Sequence, residues 1–243
     1  VPTGIEHGSV TVFSGAIAHE ITTFRRDVET DGRRAVVAFS DDIHEDAKRR
    51  DFTMNALYAT PDGRVTDPLG QGLADLSARR VRFIEDPEQR IKEDYLRILR
   101  FFRFYAWYGD PTNGIDPEGL AAVAENTDGL GTLSAERVGA EMRKLLAAPD
   151  PAAAVAAMQT AGVLTRILPG ADARGLSILI HHEQALGEQP APMRRLACLG
   201  DIEAADLRLS NAQTKQIQHL RKGLESTLTL AELAYRQGTQ MAV

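Results

Sequence analysis

The fold is decided by residues 86–105, which read DPEQRIKEDYLRILRFFRFY. Asp86, with Pro87 next and Gln89 three positions on, is typical of a helix start, because the aspartate caps free amides and proline suits the first turn. The spacing predicts one amphipathic helix from Asp86 to the Gly-Asp-Pro stop signal at 109–111. Its apolar face, with steps of four and three, comprises Ile91, Tyr95, Ile98, Phe102 and Tyr105.

The chain changes character on the two sides of this stretch. Upstream, residues 9–13 and 18–24 alternate apolar and polar around Gly15, which predicts a β-hairpin, and residues 35–39 form a further apolar run. Downstream, helices are predicted over residues 116–125, 134–147, 151–161, 172–186, 190–200, 202–207 and 211–237.

Strands that precede helices, instead of alternating with them, indicate an α+β fold. We expect a β-sheet region over residues 1–65, a helical neck over residues 66–148 and a helical body over residues 149–243. No internal repeat accompanies this division, so each region is expected to have its own role.

The composition is that of an ordinary folded protein. The 243 residues are 43% hydrophobic and 26% charged, and 28 Lys+Arg against 34 Asp+Glu leave a net charge of −6. Disordered and fibrous classes are therefore excluded, and no apolar run approaches the ~18–20 residues of a membrane span, so no membrane partner is expected. The single cysteine, Cys198, cannot form an internal disulfide, which predicts a reducing, cytoplasmic location.

Positive charge is concentrated within residues 79–105 of this acidic chain. The segment has eight Lys/Arg and five Asp/Glu, with aromatic side chains interleaved. Such a composition fits contact with a nucleotide or RNA. It also fits an amphipathic helix with a solvated basic face, and composition alone favours that second interpretation.

Asp94 and Arg97 share one face of the predicted helix, because residues three apart are neighbours there. They are either an intrahelical ion pair or a pair that reads a nucleobase. In the second case Asp94 accepts from an exocyclic amino group and Arg97 donates to the adjacent ring nitrogen. Adenine and cytosine present that order of groups, whereas guanine and uracil present the reverse order.

Several motifs occur in a fixed order: RRDFTMNAL at 49–57, DPLG at 67–70, RFI at 82–84, RIKEDYLRILRFFRF at 90–104 and SAER at 134–137. Together they resemble the class II tRNA nucleotidyltransferases, the CCA-adding enzymes, and the related bacterial poly(A) polymerases. The resemblance is strong over residues 1–150 and weak beyond. It implies that residues 1–65 are the C-terminal part of a nucleotidyltransferase head sheet, that the neck recognises the base and that the body contacts tRNA.

The resemblance also implies roles for individual side chains. Asp94 and Arg97 match the positions that read the incoming base, while Arg50 and Asp51 match those that hold the triphosphate and ribose; a surface salt-bridge cluster is the alternative for the latter two. On the helical wheel, the remaining matches point away from Asp94, so they would contact phosphates or brace neighbouring helices. The nucleotide-binding positions implied are thus Arg50, Asp51, Asp94, Arg97, Arg100 and Arg103.

The family's metal site is the main departure. Its members hold two Mg²⁺ ions with an Asp-x-Asp pair, and the catalytic residues stay unassigned here because this pair would lie upstream of Val1. The start at Val-Pro-Thr-Gly is accordingly interpreted as an N-terminal truncation. Glu20, on a predicted strand, is the one metal ligand we nominate, with an ordinary edge-strand glutamate as the alternative.

The activity implied is template-independent transfer of CMP and AMP from CTP and ATP to the 3′ end of tRNA, with Mg²⁺ as cofactor. Poly(A) synthesis or A addition alone is the alternative within the family. A non-catalytic module that binds nucleotide or RNA is the alternative outside it. The 243 residues by themselves are expected to add no nucleotide, for want of the Asp-x-Asp pair.

Three further features receive structural interpretations. Glu136 and Arg137 are interpreted as a helix start that supports the pocket, and the adjacent His181 and His182 as a solvated pair, since neighbours on a helix diverge by ~100°. Basic helix faces that would contact a tRNA backbone, or simply be solvated, include Arg194, Arg195 and residues 215–222.

Overall fold

Short antiparallel strands occupy the N-terminal part of the chain. The structure, a computed structural model, describes residues 2–4, 9–31, 34–224, 226–229, 231–232 and 235. Within these described residues the strands form three separate sheets, ordered β1-β2-β3, β4-β5 and β6-β7. Their bounds are β1 Pro2–Gly4, β2 Ser9–Ser14, β3 Ile17–Thr22, β4 Arg25–Asp31, β5 Arg34–Phe39, β6 Tyr58–Ala59 and β7 Val65–Thr66. The predicted hairpin is confirmed: Ser14 pairs with Ile17, and Gly15 takes the left-handed conformation that the turn requires.

Helices make up most of the remainder, so the α+β fold class is confirmed. The bounds are α1 Ile43–Lys48, α2 Gly72–Ser77, α3 Pro87–Glu93, α4 Leu96–Tyr108, α5 Pro117–Glu125, α6 Ala135–Leu146, α7 Ala152–Thr160, α8 Val163–Ile167, α9 Leu176–Leu186, α10 Pro192–Cys198 and α11 Asn211–Leu224. Short 3₁₀ helices span Thr53–Asn55, Thr127–Thr132 and Ala204–Leu207. The prediction of one helix over residues 211–237 is wrong, because α11 ends at Leu224 and residues 226–229 are not helical. The predicted end, at residue 237, lies outside the described residues.

The prediction of one continuous helix from Asp86 is wrong, because α3 ends at Glu93 and α4 begins at Leu96. Asp94 between them is extended, with φ −155 and ψ 105. Its Oδ1 accepts a hydrogen bond from the Leu96 amide at 3.1 Å, an interaction with which aspartate competes against helical backbone bonding. The wheel angles drawn across residue 94 therefore fail. The Asp94 and Arg97 side chains instead bind other residues.

The start of α3 and the apolar stripe agree with the sequence prediction. Asp86 Oδ1 accepts from the Gln89 amide at 2.7 Å, as an N-cap should. Ile91, Ile98 and Phe102 are completely buried, in a core that continues from the neck into the body. Buried apolar area of this kind is the main source of stability in a folded chain.

The segment between α1 and α2 is fastened to the neck by aromatic packing. Phe52 forms an isolated antiparallel bridge with Phe83, and their ring centroids are 5.0 Å apart. Phe101 of α4 stacks on Phe83 with centroids 5.2 Å apart. This packing holds residues 50 and 51, which directly precede Phe52, against the α4 helix.

Two other interpretations need correction. Residues 41–48 predict a helix capped by Ser40 or Asp41, but the cap is Asp42, whose Oδ1 accepts from the His44 amide at 2.8 Å. Arg195 is only 1% exposed, so the prediction that it lies on a tRNA-facing surface is wrong. Its guanidinium binds Glu183 and the carbonyl oxygens of Leu146, Ala148 and Pro149.

His181 and His182 are exposed, as expected of a solvated pair. Among the described residues, no helix combines the length and apolar character needed to cross a membrane.

Candidate nucleotide-binding site

The carboxylate of Asp46 binds the basic side chains at the end of α1. Its Oδ1 accepts two hydrogen bonds from the Arg49 guanidinium, at 2.7 and 2.9 Å. Its Oδ2 lies 3.2 Å from an Arg50 terminal nitrogen and accepts from the Tyr58 hydroxyl at 2.7 Å. The backbone amide of Arg25 in β4 also donates to this buried carboxylate. Arg50, a predicted nucleotide ligand, is thus held on one side by a buried negative charge.

The pKa values of Asp46 and Tyr58 reflect this shared environment. Burial by itself raises the pKa of the Asp46 carboxyl, but hydrogen bonds from Tyr58 and Arg49 outweigh it, and the pKa lies below its ordinary value. Burial, together with the hydrogen bond to Asp46, raises the pKa of Tyr58 to about 12. Asp46 is therefore ionised and Tyr58 neutral at neutral pH, so both hydrogen bonds and ion pairs persist there.

Asp51 fixes the loop that follows α1 onto helix α4. Its Oδ1 accepts from the Phe52 amide at 2.9 Å and from the Asn55 side chain at 2.8 Å. Its Oδ2 accepts from Arg100 Nε at 2.5 Å, and the Asp51 side chain is buried. Two of the predicted nucleotide-binding residues, Asp51 and Arg100, therefore bind each other.

Arg97 lies in the first turn of α4 and reaches back towards α1 and α3. Its guanidinium donates to the carbonyl oxygen of Arg90 at 2.8 Å, to Glu93 at 2.6 Å and to the carbonyl oxygen of Arg49 at 3.1 Å. Glu93 also pairs with Arg90 at 3.0 Å. These acceptors fix the plane of the Arg97 guanidinium at the border between the neck and the strand region.

Asp94 lines a small cavity in the neck. Its Oδ2 accepts a hydrogen bond from Arg137 of α6 at 2.7 Å. The cavity has a volume of ≈ 230 Å³, and its lining includes both of these side chains together with Glu93, Tyr95 and Ser134. One wall thus combines a carboxylate, a guanidinium and an aromatic ring, which are groups that recognise a planar polar ligand.

Arg103 is turned towards α6 and away from Asp94. Its Nε lies 2.6 Å from Glu141 Oε2, and its guanidinium lies over the Phe104 ring, 4.8 Å from the centroid. Arg103 thus links α4 to α6, which is one of the two roles that the helical wheel allowed for it. A contact between Arg103 and substrate phosphates stays a prediction. The structure therefore brings Arg50 and Arg97 to one border, next to Arg49, and Asp94 to the cavity.

A metal pair needs carboxylate or other donor groups that lie close together. Within residues 2–4, 9–31, 34–224 and the short described stretches beyond, no group of three or more His, Cys, Asp or Glu side chains could hold a metal ion. Glu20 lies on β3, exposed, opposite Thr11 of β2. The described residues do not fit a metal pair, and the assignment of Glu20 stays a prediction.

Sequence reasoning did not single out Asp46, Tyr58 and Glu93. A signal was available for two of them, because Asp46 precedes Arg49 and Arg50 by three and four residues, and Glu93 has basic neighbours at the same helical spacings. Tyr58 carries no comparable signal, because its contact with Asp46 depends on how the intervening turn folds back.

Comparison with known families identifies two segments. Residues 1–82 match the family described as "Poly A polymerase head domain", and residues 114–174 match "Probable RNA and SrmB- binding site of polymerase A". The mouse protein named "CCA tRNA nucleotidyltransferase 1, mitochondrial" is 40% identical over 210 residues, which are 85% of this chain and 48% of that protein. The "CCA-adding enzyme" of Levilactobacillus brevis is 41% identical over 165 residues, 67% of this chain and 41% of that enzyme. The chain thus spans about half the length, or less, of these relatives.

Solved structures agree with these matches. The Bacillus stearothermophilus CCA-adding enzyme in complex with CTP superimposes with a TM-score of 0.76 at 27% identity, covering 100% of this chain and 63% of that one. The Thermotoga maritima CCA-adding enzyme complexed with tRNA has a TM-score of 0.63 at 19% identity, covering 96% of this chain and 57% of that one. The second comparison shows a shared fold alone.

Proposed function

We propose, on the premise that the chain belongs to the class II family of tRNA nucleotidyltransferases and bacterial poly(A) polymerases, that it selects CTP and ATP for transfer to the 3′ end of tRNA. In this proposal the neck recognises the base and the body contacts the tRNA. Mg²⁺ is the cofactor that the family implies. The location is the cytoplasm, as the single cysteine predicts, although the mouse relative is named mitochondrial.

The observation that carries the proposal is the placement of Asp94 and Arg97 at the break between α3 and α4. The break turns the Asp94 carboxylate out of the helical hydrogen-bond pattern and into the lining of the cavity. Arg97, one turn on, is fixed by three protein acceptors, Arg90, Glu93 and Arg49. An acceptor and a donor that are each held in place by the protein would select bases by the order of their polar groups, because a mismatched base leaves polar atoms unpaired.

The selection follows from elementary hydrogen bonding. An ionised carboxylate only accepts, so Asp94 suits the amino groups of cytosine and adenine and opposes the carbonyl oxygens of uracil and guanine. Arg97 only donates, so it suits the unprotonated ring nitrogen beside that amino group. One pair of side chains would therefore admit both CTP and ATP without an RNA template.

Arg50, Asp51, Arg100 and Arg103 take supporting places in the proposal. Arg50 is partly exposed at the border with the strand region, where its charge would attract the triphosphate. Asp51 and Arg100 bind each other. Because Asp51 directly follows Arg50, this ion pair would hold Arg50 in position. Arg103 bound to Glu141 would hold α4 against α6.

No chemical step is assigned to the described carboxylates, since they do not fit a metal pair. In the complete reaction the tRNA 3′ hydroxyl would attack the α-phosphorus of the nucleotide and pyrophosphate would leave. Glu20 is retained as a candidate metal ligand, and the residues described here are assigned to substrate selection.

The test is nucleotide incorporation by the complete gene product in Mg²⁺. Labelled CTP or ATP is supplied with tRNA that lacks its terminal CCA, with tRNA that ends in CC, and with an oligoadenylate. We expect CMP on the first RNA and AMP on the second. Extension of oligoadenylate with ATP alone would identify a poly(A) polymerase, AMP addition without CMP addition an A-adding enzyme, and binding without any incorporation would overturn the proposed activity.

A further inference from the structure

Asp94 is held by the protein through both of its carboxylate oxygens. Oδ1 accepts from the Leu96 amide at 3.1 Å, and Oδ2 accepts from Arg137 at 2.7 Å. The Leu96 bond lies within the same short segment, whereas the Arg137 bond comes from a different helix, 43 positions away. Arg137 is thus the tertiary contact that decides how the carboxylate is turned.

Arg137 stands on a helix that is anchored along its whole length. It lies in the first turn of α6, next to the buried Val138. Further along, Glu141 is buried and pairs with Arg103 of α4, and at the C-terminal end the Leu146 carbonyl oxygen accepts from the buried Arg195 at 2.8 Å. The base of the Arg137 side chain is therefore fixed relative to α4, so its reach to Asp94 is set by the fold.

We propose that Arg137 is a positioning residue that determines base specificity through Asp94; this inference rests on the proposed function. An aspartate side chain has two rotatable bonds, and a donor on each oxygen removes most of that freedom. Each oxygen keeps further accepting capacity, which the ligand in the cavity would use. Without Arg137 the carboxylate keeps the bond from the Leu96 amide but loses its tertiary contact, so it no longer presents an acceptor to an amino group at one fixed point.

The expected signature is a change in preference, beyond a general weakening. Loss of orientation lowers the affinity for CTP, whose amino group needs the acceptor, and leaves the affinity for UTP nearly unchanged, since UTP gains nothing from it. If Arg137 instead bound the triphosphate directly, it would raise the affinity for all four nucleotides alike. The ratio of the CTP and UTP dissociation constants therefore separates the two roles.

The experiment measures dissociation constants for CTP, ATP, UTP and GTP by competition titration, with variants made in the complete gene product. Arg137→Met keeps the length of the side chain and removes its donors, while Arg137→Lys keeps one charged donor. Lysine should retain most of the preference, because a single guanidinium nitrogen makes the bond to Oδ2. The matched control is Arg166→Met, since Arg166 also lies in the neighbourhood and approaches a carboxylate, Asp128, at 3.6 Å, but does not contact Asp94.

We expect Arg137→Met to reduce the preference for CTP over UTP about tenfold, in the range of one lost base contact, and Arg166→Met to leave it unchanged. In an Asp94→Asn background, Arg137→Met should change the preference no further, because the residue it acts through is already altered. Arg137 is a third exposed, so the variants should fold, and melting curves will check this.

Each outcome addresses one claim. An unsubstituted protein that shows no preference for CTP and ATP overturns the proposed function itself. A preference that survives Arg137→Met overturns the inference and leaves the function intact. Equal weakening of the binding of all four nucleotides also overturns the inference, because Arg137 would then act on the phosphates. An undiminished effect of Arg137→Met in the Asp94→Asn background overturns it too, because Arg137 would then act independently of Asp94.

Discussion

The β2-β3 hairpin and helix α4 differ in the burial of their apolar side chains. In the hairpin, Phe13 and Ile17 are 60% and 64% exposed. In α4, Phe101 and Phe102 are completely buried. Both segments have apolar residues at the period of their secondary structure, but within the described residues only those of α4 meet a core. Secondary-structure pattern and burial are therefore separate properties of this chain.

This difference places the candidate site in the part of the chain whose apolar side chains are buried. Arg97 and Arg137 lie on helices α4 and α6, and Asp94 lies between α3 and α4; the apolar faces of these helices are buried in one core. A carboxylate and a guanidinium select a base only if both are held in place, and packed helices hold side chains more strictly than an isolated hairpin. The comparison predicts that substitutions in the neck alter both stability and nucleotide selection, whereas those in the hairpin alter neither through the described contacts.

The largest effect is expected in the core of α4. Phe102→Ala removes a completely buried ring and should lower the free energy of unfolding by about 3–5 kcal/mol. Urea denaturation measures this, with Tyr108→Ala, an exposed ring on the same helix, as the control that should cost about 1 kcal/mol or less. A loss below about 1 kcal/mol for Phe102→Ala would mean that the neck lacks the core on which the comparison depends.

An intermediate effect is expected at Asp46, which binds Arg25 of β4, Arg49 and Tyr58. Asp46→Asn should cost about 1.5–3 kcal/mol, the range for hydrogen bonds to a charged group. Because the folded pKa of Asp46 is lowered, its contribution is complete above the unfolded value of ~3.9 and is lost as pH falls through the folded value. Urea denaturation near pH 7 and near pH 3 checks this, and a difference that stays constant between the two would contradict it.

The stability that Tyr58 contributes should depend on pH in the alkaline range. Its folded pKa is raised to about 12, so its contribution is complete below the unfolded value of ~10 and is lost as pH rises towards 12. The stability advantage of the unsubstituted chain over Tyr58→Phe should therefore shrink between about pH 10 and pH 12. An advantage that grows over that interval would mean that the Tyr58 hydroxyl is ionised in the folded chain.

The smallest effect is expected in the hairpin. Phe13→Ser replaces an exposed ring and should change the free energy of unfolding by no more than about 0.5 kcal/mol. The measurement is the same urea titration, with Phe102→Ala as the contrasting variant. A loss of about 2 kcal/mol for Phe13→Ser would show that the hairpin is packed in solution, and the contrast between the two regions would disappear.

Local signals in the sequence predicted the elements that depend on neighbours along the chain. The hairpin around Gly15, the cap at Asp86 and the buried stripe through Ile98 and Phe102 all follow from short-range spacing, and all are confirmed. The family resemblance added the positions of the nucleotide-binding residues, which remain predictions until nucleotide binding is measured.

Contacts made across the fold could not be predicted in this way. The break at Asp94 leaves the apolar period almost unchanged, and the side chain is held by Arg137 on another helix. Arg195 has the sequence neighbourhood of a solvated basic face, yet Glu183 and three carbonyl oxygens compensate its charge in the core. Whether such a side chain is buried, and which groups it binds, depends on residues far away along the chain. The periodicity of a single sequence does not identify those residues.

The central claim is that the neck reads the base through Asp94 and Arg97. The most direct test is competitive titration of CTP, ATP, UTP and GTP against the unsubstituted protein, Asp94→Ala and Arg97→Ala. The account predicts that the unsubstituted protein favours CTP and ATP, and that each substitution removes about 1–3 kcal/mol of that discrimination. Unchanged discrimination against GTP and UTP in both variants would contradict the account, because base selection would then reside outside the neck.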